Sequence, residues 1–308
     1  MYSLDQIKTG IKWSIESPSL FFRELNRLYH KRRYGPGYNR TGIDVMDEDW
    51  DTLVILDACR YELFEQENTL SGQLSKRISR GSHTSEFLRG NFDGKTLHET
   101  VYTTASPQLE KRRDEIDVEF HAVENVWNGD RWDSEQRTVP PKAMTEAGIE
   151  SHETYPRKRH IVHYIQPHYP FIGYDFDEEA STVGQAGHDI WEQLIRGRAN
   201  VAPETIWRAY RNNLKLVLNA VHQLLKHISG KTVVTSDHGN MIGERSAPLP
   251  INEWGHPPGI YNEELVSVPW LIVEGEPRRE VQTDPPCDDF KTVEDDLIEN
   301  RLDALGYS

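Results

Sequence analysis

Thr232-Val233-Val234-Thr235-Ser236-Asp237-His238-Gly239 decides how the rest of the chain is read. Four β-branched residues in a row suit a strand buried on both faces of a parallel sheet, where near-continuous apolar runs replace alternation. The run ends in a carboxylate, an imidazole and a glycine, which places metal-ligating groups at a strand's carboxyl end. Two more segments repeat the pattern. Thr52-Leu53-Val54-Ile55-Leu56 runs into Asp57-Ala58-Cys59-Arg60, and Ile161-Val162-His163-Tyr164-Ile165 runs into Gln166-Pro167-His168. A fourth run, Val268–Val273, carries Pro269, which favours a strand start or a sheet edge.

Between the second and third runs lies a helical stripe: Trp207, Tyr210, Leu214, Val217, Leu218, Val221, Leu224, Leu225 and Ile228, stopped by Ser229-Gly230. Strand, helix and strand at this spacing predict crossovers and a mostly parallel central sheet sandwiched by helices, an α/β fold. Residues 92–150, rich in charge and with Pro140-Pro141 inside, read as loops and short helices over that sheet. The stretch from Thr292 to Tyr307 reads as a final helix, with Thr292 as its cap. The domain reading is a basic helical segment over 1–40, a catalytic domain over 41–275, and an acidic linker with a C-terminal helix over 276–308.

The 308 residues carry a net charge of −15, which repels a phosphate backbone and argues against general nucleic-acid binding. The acidic excess reads as a salt-adapted surface. Residues 1–40 run the other way, with eight Lys/Arg against three acids. There Leu20, Phe21, Phe22, Leu25, Leu28 and Tyr29 recur at helical spacing after Ser17-Pro18-Ser19. This segment reads either as a helix packed on the protein's own acidic body or as a peripheral contact with an anionic membrane. No apolar run approaches the roughly 20 residues of a membrane span, and no secretory leader is visible, so a cytoplasmic location is expected. Cys59 and Cys287 are too few for a disulfide framework or a thiolate metal site.

In open α/β sheets, ligands bind beyond the carboxyl ends of the strands. Asp57, His168 and Asp237-His238 would converge there, and mixed carboxylate and imidazole donors suit Zn or Mn. Leu-Asp-Ala-Cys-Arg at 56–60, Gly-Ser-His-Thr-Ser-Glu-Phe at 81–87, Gln-Pro-His-Tyr-Pro-Phe at 166–171 and Thr-Ser-Asp-His-Gly at 235–239 resemble, in that order, the alkaline phosphatase superfamily. The likeness is greatest to its sulfatase-like and lipoteichoic-acid-synthase-like branches, and the acidic composition suggests a salt-adapted archaeal member.

The resemblance implies that Asp57, Asp237 and His238 bind a divalent metal, with Thr84 as both nucleophile and metal ligand. It also implies that His168 and His256 lie near the substrate. Arg60 is a further candidate for steadying substrate oxygens. Ser82 and Ser85 compete with Thr84 as nucleophile. Gln166, where two-metal members carry an acid, favours one metal. No Cys-x-Pro-x-Arg motif is present, which favours phosphate over sulfate esters.

The implied function is a metal-dependent hydrolase or transferase of phosphate or sulfate esters, with glycan or lipid head groups as the branch's substrates. The alternative is a non-catalytic member serving as a binding or assembly factor. His163, on a buried strand, reads as a core histidine; His83, His98, His121, His152 and His160 read as surface residues. Glu86 is open between a helix-start acid and a support to the site, and Trp254 and Trp270 read as packing.

Overall fold

The computed structural model describes residues 18–174, 190–197, 199, 201–287 and 293–307. Thr292 and the first seventeen residues, including Ser17, lie outside them. In chain order the elements are α1 (Pro18–Tyr34), β1 (Thr52–Leu56), α2 (Tyr61–Glu67), β2 (Gln73–Ile78), α3 (Thr84–Phe92), β3 (Lys95–Thr104), α4 (Gln108–Lys111), β4 (Val118–Asn125), α5 (Pro141–Thr154) and β5 (Arg159–Tyr164). They continue as α6 (Ile190–Ile195), α7 (Pro203–His227), β6 (Thr232–Thr235), β7 (Met241–Arg245), β8 (Asn252–Gly255), α8 (Glu263–Val266), β9 (Ser267–Val273) and α9 (Asp295–Ala304).

Seven strands form one sheet in the order β2-β9-β6-β1-β5-β3-β4. From β6 to β4 every pairing is parallel, and β9 runs antiparallel to both of its neighbours. The fold is therefore the expected α/β sandwich with a mostly parallel sheet. β1 shows why its sequence is apolar throughout. Val54 and Leu56 enter the core under α5 and α7, whereas Leu53 and Ile55 enter the opposite core with Phe87 and Phe92 of α3. All five β1 residues are buried. On α7, Ile206, Tyr210, Leu214, Val217, Leu218, Val221 and Leu224 are buried along one face, the amphipathic stripe that holds a covering helix on a sheet.

Two expectations are corrected. Residues 92–150 supply two sheet strands, β3 and β4, and the fourteen-residue helix α5. β9 is not at the edge, because β2 covers it. Pro269 is tolerated there because β6 ends at Thr235 opposite Trp270. The proline lies one residue past that ladder, where no N–H is owed on the β6 side, and Thr235 Oγ1 donates to its carbonyl at 2.7 Å.

Candidate metal centre

β5, β1 and β6 are adjacent and parallel, so their carboxyl ends open on one place. Asp57 follows β1 directly, and it caps no helix. The chain turns at Ala58 in the left-handed region (φ 58°), a conformation costly for alanine that persists only where surrounding contacts enforce it. Here they do: Ala58 N–H donates to Asp237 Oδ1 at 3.0 Å, Cys59 N–H donates to Ser236 Oγ at 2.8 Å, and the Tyr210 hydroxyl donates to the Ala58 carbonyl. The β1 turn is thus fastened to the β6 turn, with two carboxylates between them.

Gly239 continues that turn beside α8. Its N–H donates to the Leu265 carbonyl at 2.7 Å, and a Cβ there would overlap the Glu264 carbonyl oxygen. His238 is oriented by the same turn. Its Nδ1 lies 2.8 Å from the Gly239 carbonyl, which only accepts, so Nδ1 carries the proton and Nε2 presents a lone pair. That lone pair faces Asp237 Oδ2 at 3.3 Å and Asp57 Oδ1 at 3.6 Å. Both carboxylate oxygens are buried without a hydrogen-bond partner.

Ligand atoms of Asp57, Asp237 and His238 lie within 4.8 Å of one another, all three residues fully buried. Among the described residues no lysine or arginine pairs with either carboxylate. Three convergent ligand atoms, two of them carboxylate oxygens without a hydrogen-bond donor, fit a divalent cation, whose charge offsets theirs. Burial, and then the charge of Asp237, push Asp57 well above the usual carboxylate range.

Thr84 is the first residue of α3, and its side chain is buried. Its Oγ1 lies 3.3 Å from His238 Nε2 and 3.2 Å from the Tyr307 hydroxyl. The helix amino terminus beneath it favours negative charge on that oxygen. His83 precedes it as the cap: Ser85 N–H donates to His83 Nδ1 at 3.1 Å, leaving the ring proton on Nε2. Ser82 and Ser85 do not share Thr84's place. The Ser82 hydroxyl bonds Glu86 at 2.9 Å and the Pro257 carbonyl at 3.1 Å, and Ser85 Oγ lies against His83. Glu86 is therefore a buried support of this turn, also accepting from Ser82 N–H and the Tyr261 hydroxyl.

His168 and His256 close the other side. Each ring is fixed through Nδ1, His168 to the Tyr169 carbonyl and His256 to Asn240 Oδ1, and their Nε2 atoms face each other at 3.3 Å. Asn213 of α7 holds the His168 loop by donating to the carbonyls of His168 (3.0 Å) and Pro170 (2.9 Å). Burial lowers His168 to about 3 and drives His256 well below its ordinary value, so both are neutral near neutral pH. His163 lies behind Asp57, fully buried, with Nε2 3.8 Å from Asp57 Oδ2.

Arg60 is not brought to this group. Its guanidinium pairs with Glu244 and Glu62 and packs over Trp207. Gln166 likewise turns away, donating to Thr138 Oγ1 and the Val139 carbonyl.

Two residues at the site were not foreseen. His83, expected at the surface, stacks beside His238 and His256; its position next to Thr84 was the available signal. The Tyr307 hydroxyl donates to Asp57 Oδ2 at 2.8 Å, and its ring stacks on His168. Its separation from Asp57 along the chain left nothing to read. His121, His152 and His160 are also buried rather than exposed, His152 of α5 and His160 of β5 as a stacked pair. Beside the group opens a cavity of about 450 Å³, lined by Arg23, Arg27, His83, His256, Tyr307 and others.

No protein-family model matches the sequence, and no curated protein matches it. Solved structures do resemble the fold. The C-terminal periplasmic domain of EcEptC from Escherichia coli, in complex with Zn, is 13% identical with a TM-score of 0.47, over 73% of this chain and 72% of that one. The soluble domain of lipooligosaccharide phosphoethanolamine transferase A from Neisseria meningitidis is 11% identical with a TM-score of 0.44, over 72% and 75%. A protein in the alkaline phosphatase superfamily from Vibrio parahaemolyticus is 10% identical with a TM-score of 0.44, over 83% and 65%.

Proposed function

We propose that this chain is a metal-dependent hydrolase or transferase of phosphate esters, with sulfate esters as the lesser candidate, and that Thr84 is its nucleophile. The observation that carries the reading is the convergence of two buried, unpartnered carboxylate oxygens on the lone-pair nitrogen of His238, beside the hydroxyl of Thr84. Asp57, Asp237 and His238 would hold one divalent cation, Zn or Mn, with Thr84 as a further ligand. Such an ion supplies the charge that favours the deprotonated Thr84 hydroxyl and polarises an ester oxygen.

The remaining work falls to the chain. α3 points its positive end at Thr84 Oγ1, and the turn at 81–84 fixes the direction of attack. A bond from Thr84 Oγ1 to phosphorus forms as the phosphorus–oxygen bond to the leaving alcohol breaks. His168 and His256, neutral with their Nδ1 protons held by the Tyr169 carbonyl and Asn240 Oδ1, face each other with Nε2 lone pairs that can accept the proton of an attacking water or acceptor alcohol. His83, with its proton on Nε2, supplies a neutral donor. Water or an acceptor alcohol then releases the phosphoryl group from threonine.

The test is covalent trapping. A slow aryl phosphoester, quenched in acid and followed by peptide mass analysis, should place phosphate on Thr84. Thr84→Ala should lose several orders of magnitude in turnover while keeping its fold and most of its bound metal. Label on Ser82 or Ser85, or normal turnover by Thr84→Ala, would refute the assignment.

A further inference from the structure

The amino-terminal helix α1 is turned inside out. Its polar residues face the protein: Ser19 donates to the Ile195 carbonyl, Arg23 pairs with the buried Glu253, Asn26 donates to Ser246 Oγ and the Leu249 carbonyl, and His30 Nε2 bonds the Ala247 carbonyl. Asn26 and His30 are the residues it buries. Its apolar residues face outward instead, with Phe21, Phe22, Leu25, Leu28 and Tyr29 each 37–42% exposed. At about 100° per residue these five span an arc of roughly 120°, away from the docked face. They account for five of the seven large hydrophobics exposed among the described residues.

Charge accompanies the stripe. Lys31, Arg32 and Arg33 are exposed at its carboxyl end. α1 holds five basic residues against one acid, so the remainder of the chain carries −19 where the whole carries −15. An anionic surface would therefore repel the body and attract this helix, which selects one orientation. Another copy of the chain is a poorer occupant. Nine residues of helix, roughly 13 Å long and about 10 Å across, fall far short of the roughly 800 Å² per partner of a stable interface, and pairing would bring two basic ends together.

We infer that α1 is a membrane-docking element, lying in the interface of an anionic bilayer with Phe21, Phe22, Leu25, Leu28 and Tyr29 among the acyl chains and Lys31, Arg32 and Arg33 at the head groups. Arg23 and Arg27, on the opposite face of the same helix, line the cavity beside His83 and His256, so the helix that docks is also a wall of the cavity beside the candidate site. No helix among the described residues is long and apolar enough to cross a membrane; the attachment is in-plane and reversible.

The full chain should float with vesicles that are one-third phosphatidylglycerol and two-thirds phosphatidylcholine, and bind pure phosphatidylcholine far more weakly. The combined Phe22→Gln, Leu25→Gln, Leu28→Gln variant should lose at least about tenfold in vesicle binding, with its thermal midpoint unchanged. Lys31→Glu, Arg32→Glu, Arg33→Glu should abolish the preference for anionic vesicles. Binding is read without substrate, so it stands or falls separately from the chemistry proposed above. Failure of the full chain to bind anionic vesicles overturns the inference, whether residues 1–17 cover the stripe or nothing does. Binding unaffected by the glutamine substitutions overturns it as well. A dimer in light scattering that the same substitutions dissolve, without vesicle binding, assigns the stripe to a second copy instead.

Discussion

Replacing Asp237 by asparagine should reverse the order of stability with and without metal. Asp237 Oδ1 accepts from the N–H groups of Ala58 (3.0 Å) and His238 (2.9 Å), and an asparagine carbonyl accepts both. Oδ2, 3.3 Å from the His238 lone pair, becomes an NH2 that can donate to it. The substitution also removes one of two like charges whose ligand atoms lie within 4.8 Å. At an effective dielectric constant near 20, that repulsion is worth about 3 kcal/mol. In the metal-free protein, Asp57 relieves part of it by holding a proton, as its raised pKa indicates, so the gain for Asp237→Asn is about 1–3 kcal/mol. Metal-free variant should then melt a few degrees above metal-free wild type. Zn or Mn at about a hundred times its dissociation constant stabilises the wild type by about 2.7 kcal/mol and should leave the variant almost unmoved. Differential scanning calorimetry after chelation, and again with added metal, reads both orders. Equal metal-induced shifts in the two proteins would show that Asp237 is no ligand. A metal-free variant several kcal/mol less stable than wild type would show that the two carboxylates do not repel.

Gly239→Ala should cost more than about 3 kcal/mol or prevent folding, because the added methyl overlaps the Glu264 carbonyl and nothing flexible can yield; urea denaturation measures it, and near-wild-type stability would refute the close approach. The buried pair His152 and His160 should make stability pH-dependent below neutrality. Burial lowers His152 from 6.5 to about 3 and His160 well below 6.5. The unfolded chain therefore takes up protons that the folded chain refuses, and stability falls as pH drops below 6.5. His152 alone accounts for about 1 kcal/mol of that loss near pH 5.5. His152→Gln should flatten the slope by about one proton in unfolding series from pH 7.5 to 5, and an unchanged slope would rule the residue out.

What the sequence disclosed follows from where each strand sits. β1, β5 and β6 occupy the middle of the sheet with both faces covered, and their apolar runs leave no other reading. β2 lies at one edge with no residue fully buried, and Gln73-Leu74-Ser75-Lys76-Arg77-Ile78 reads as polar surface. β4, at the opposite edge, alternates too weakly, and β3 buries its second half while His98 and Glu99 interrupt its first. The ligand-type residues were legible because strand ends position them within a few residues of an apolar run. Asn240 illustrates the limit. It follows Gly239 directly, yet its task, holding His256 Nδ1 at 3.3 Å, depends on a contact sixteen residues away that no local pattern encodes. α1 shows another limit. Helical periodicity identified its apolar stripe but not the side that faces the body, because that choice rests on Glu253, Ser246 and the carbonyls at 247 and 249.

Tyr307 makes the site its own competitor. With its hydroxyl between Asp57 Oδ2 and Thr84 Oγ1 and its ring against His168, the phenol occupies a hydrogen-bonding place beside Thr84 that, on the mechanism proposed above, an ester oxygen would have to take. A ligand that needs that place would bind only molecules whose Tyr307 has withdrawn, and its apparent dissociation constant would be the intrinsic one divided by that fraction. Anything that tethers or loosens the segment around Tyr307 then acts like a change in the dose of a built-in inhibitor. It alters how much substrate half-saturates the protein while leaving the fully saturated rate alone.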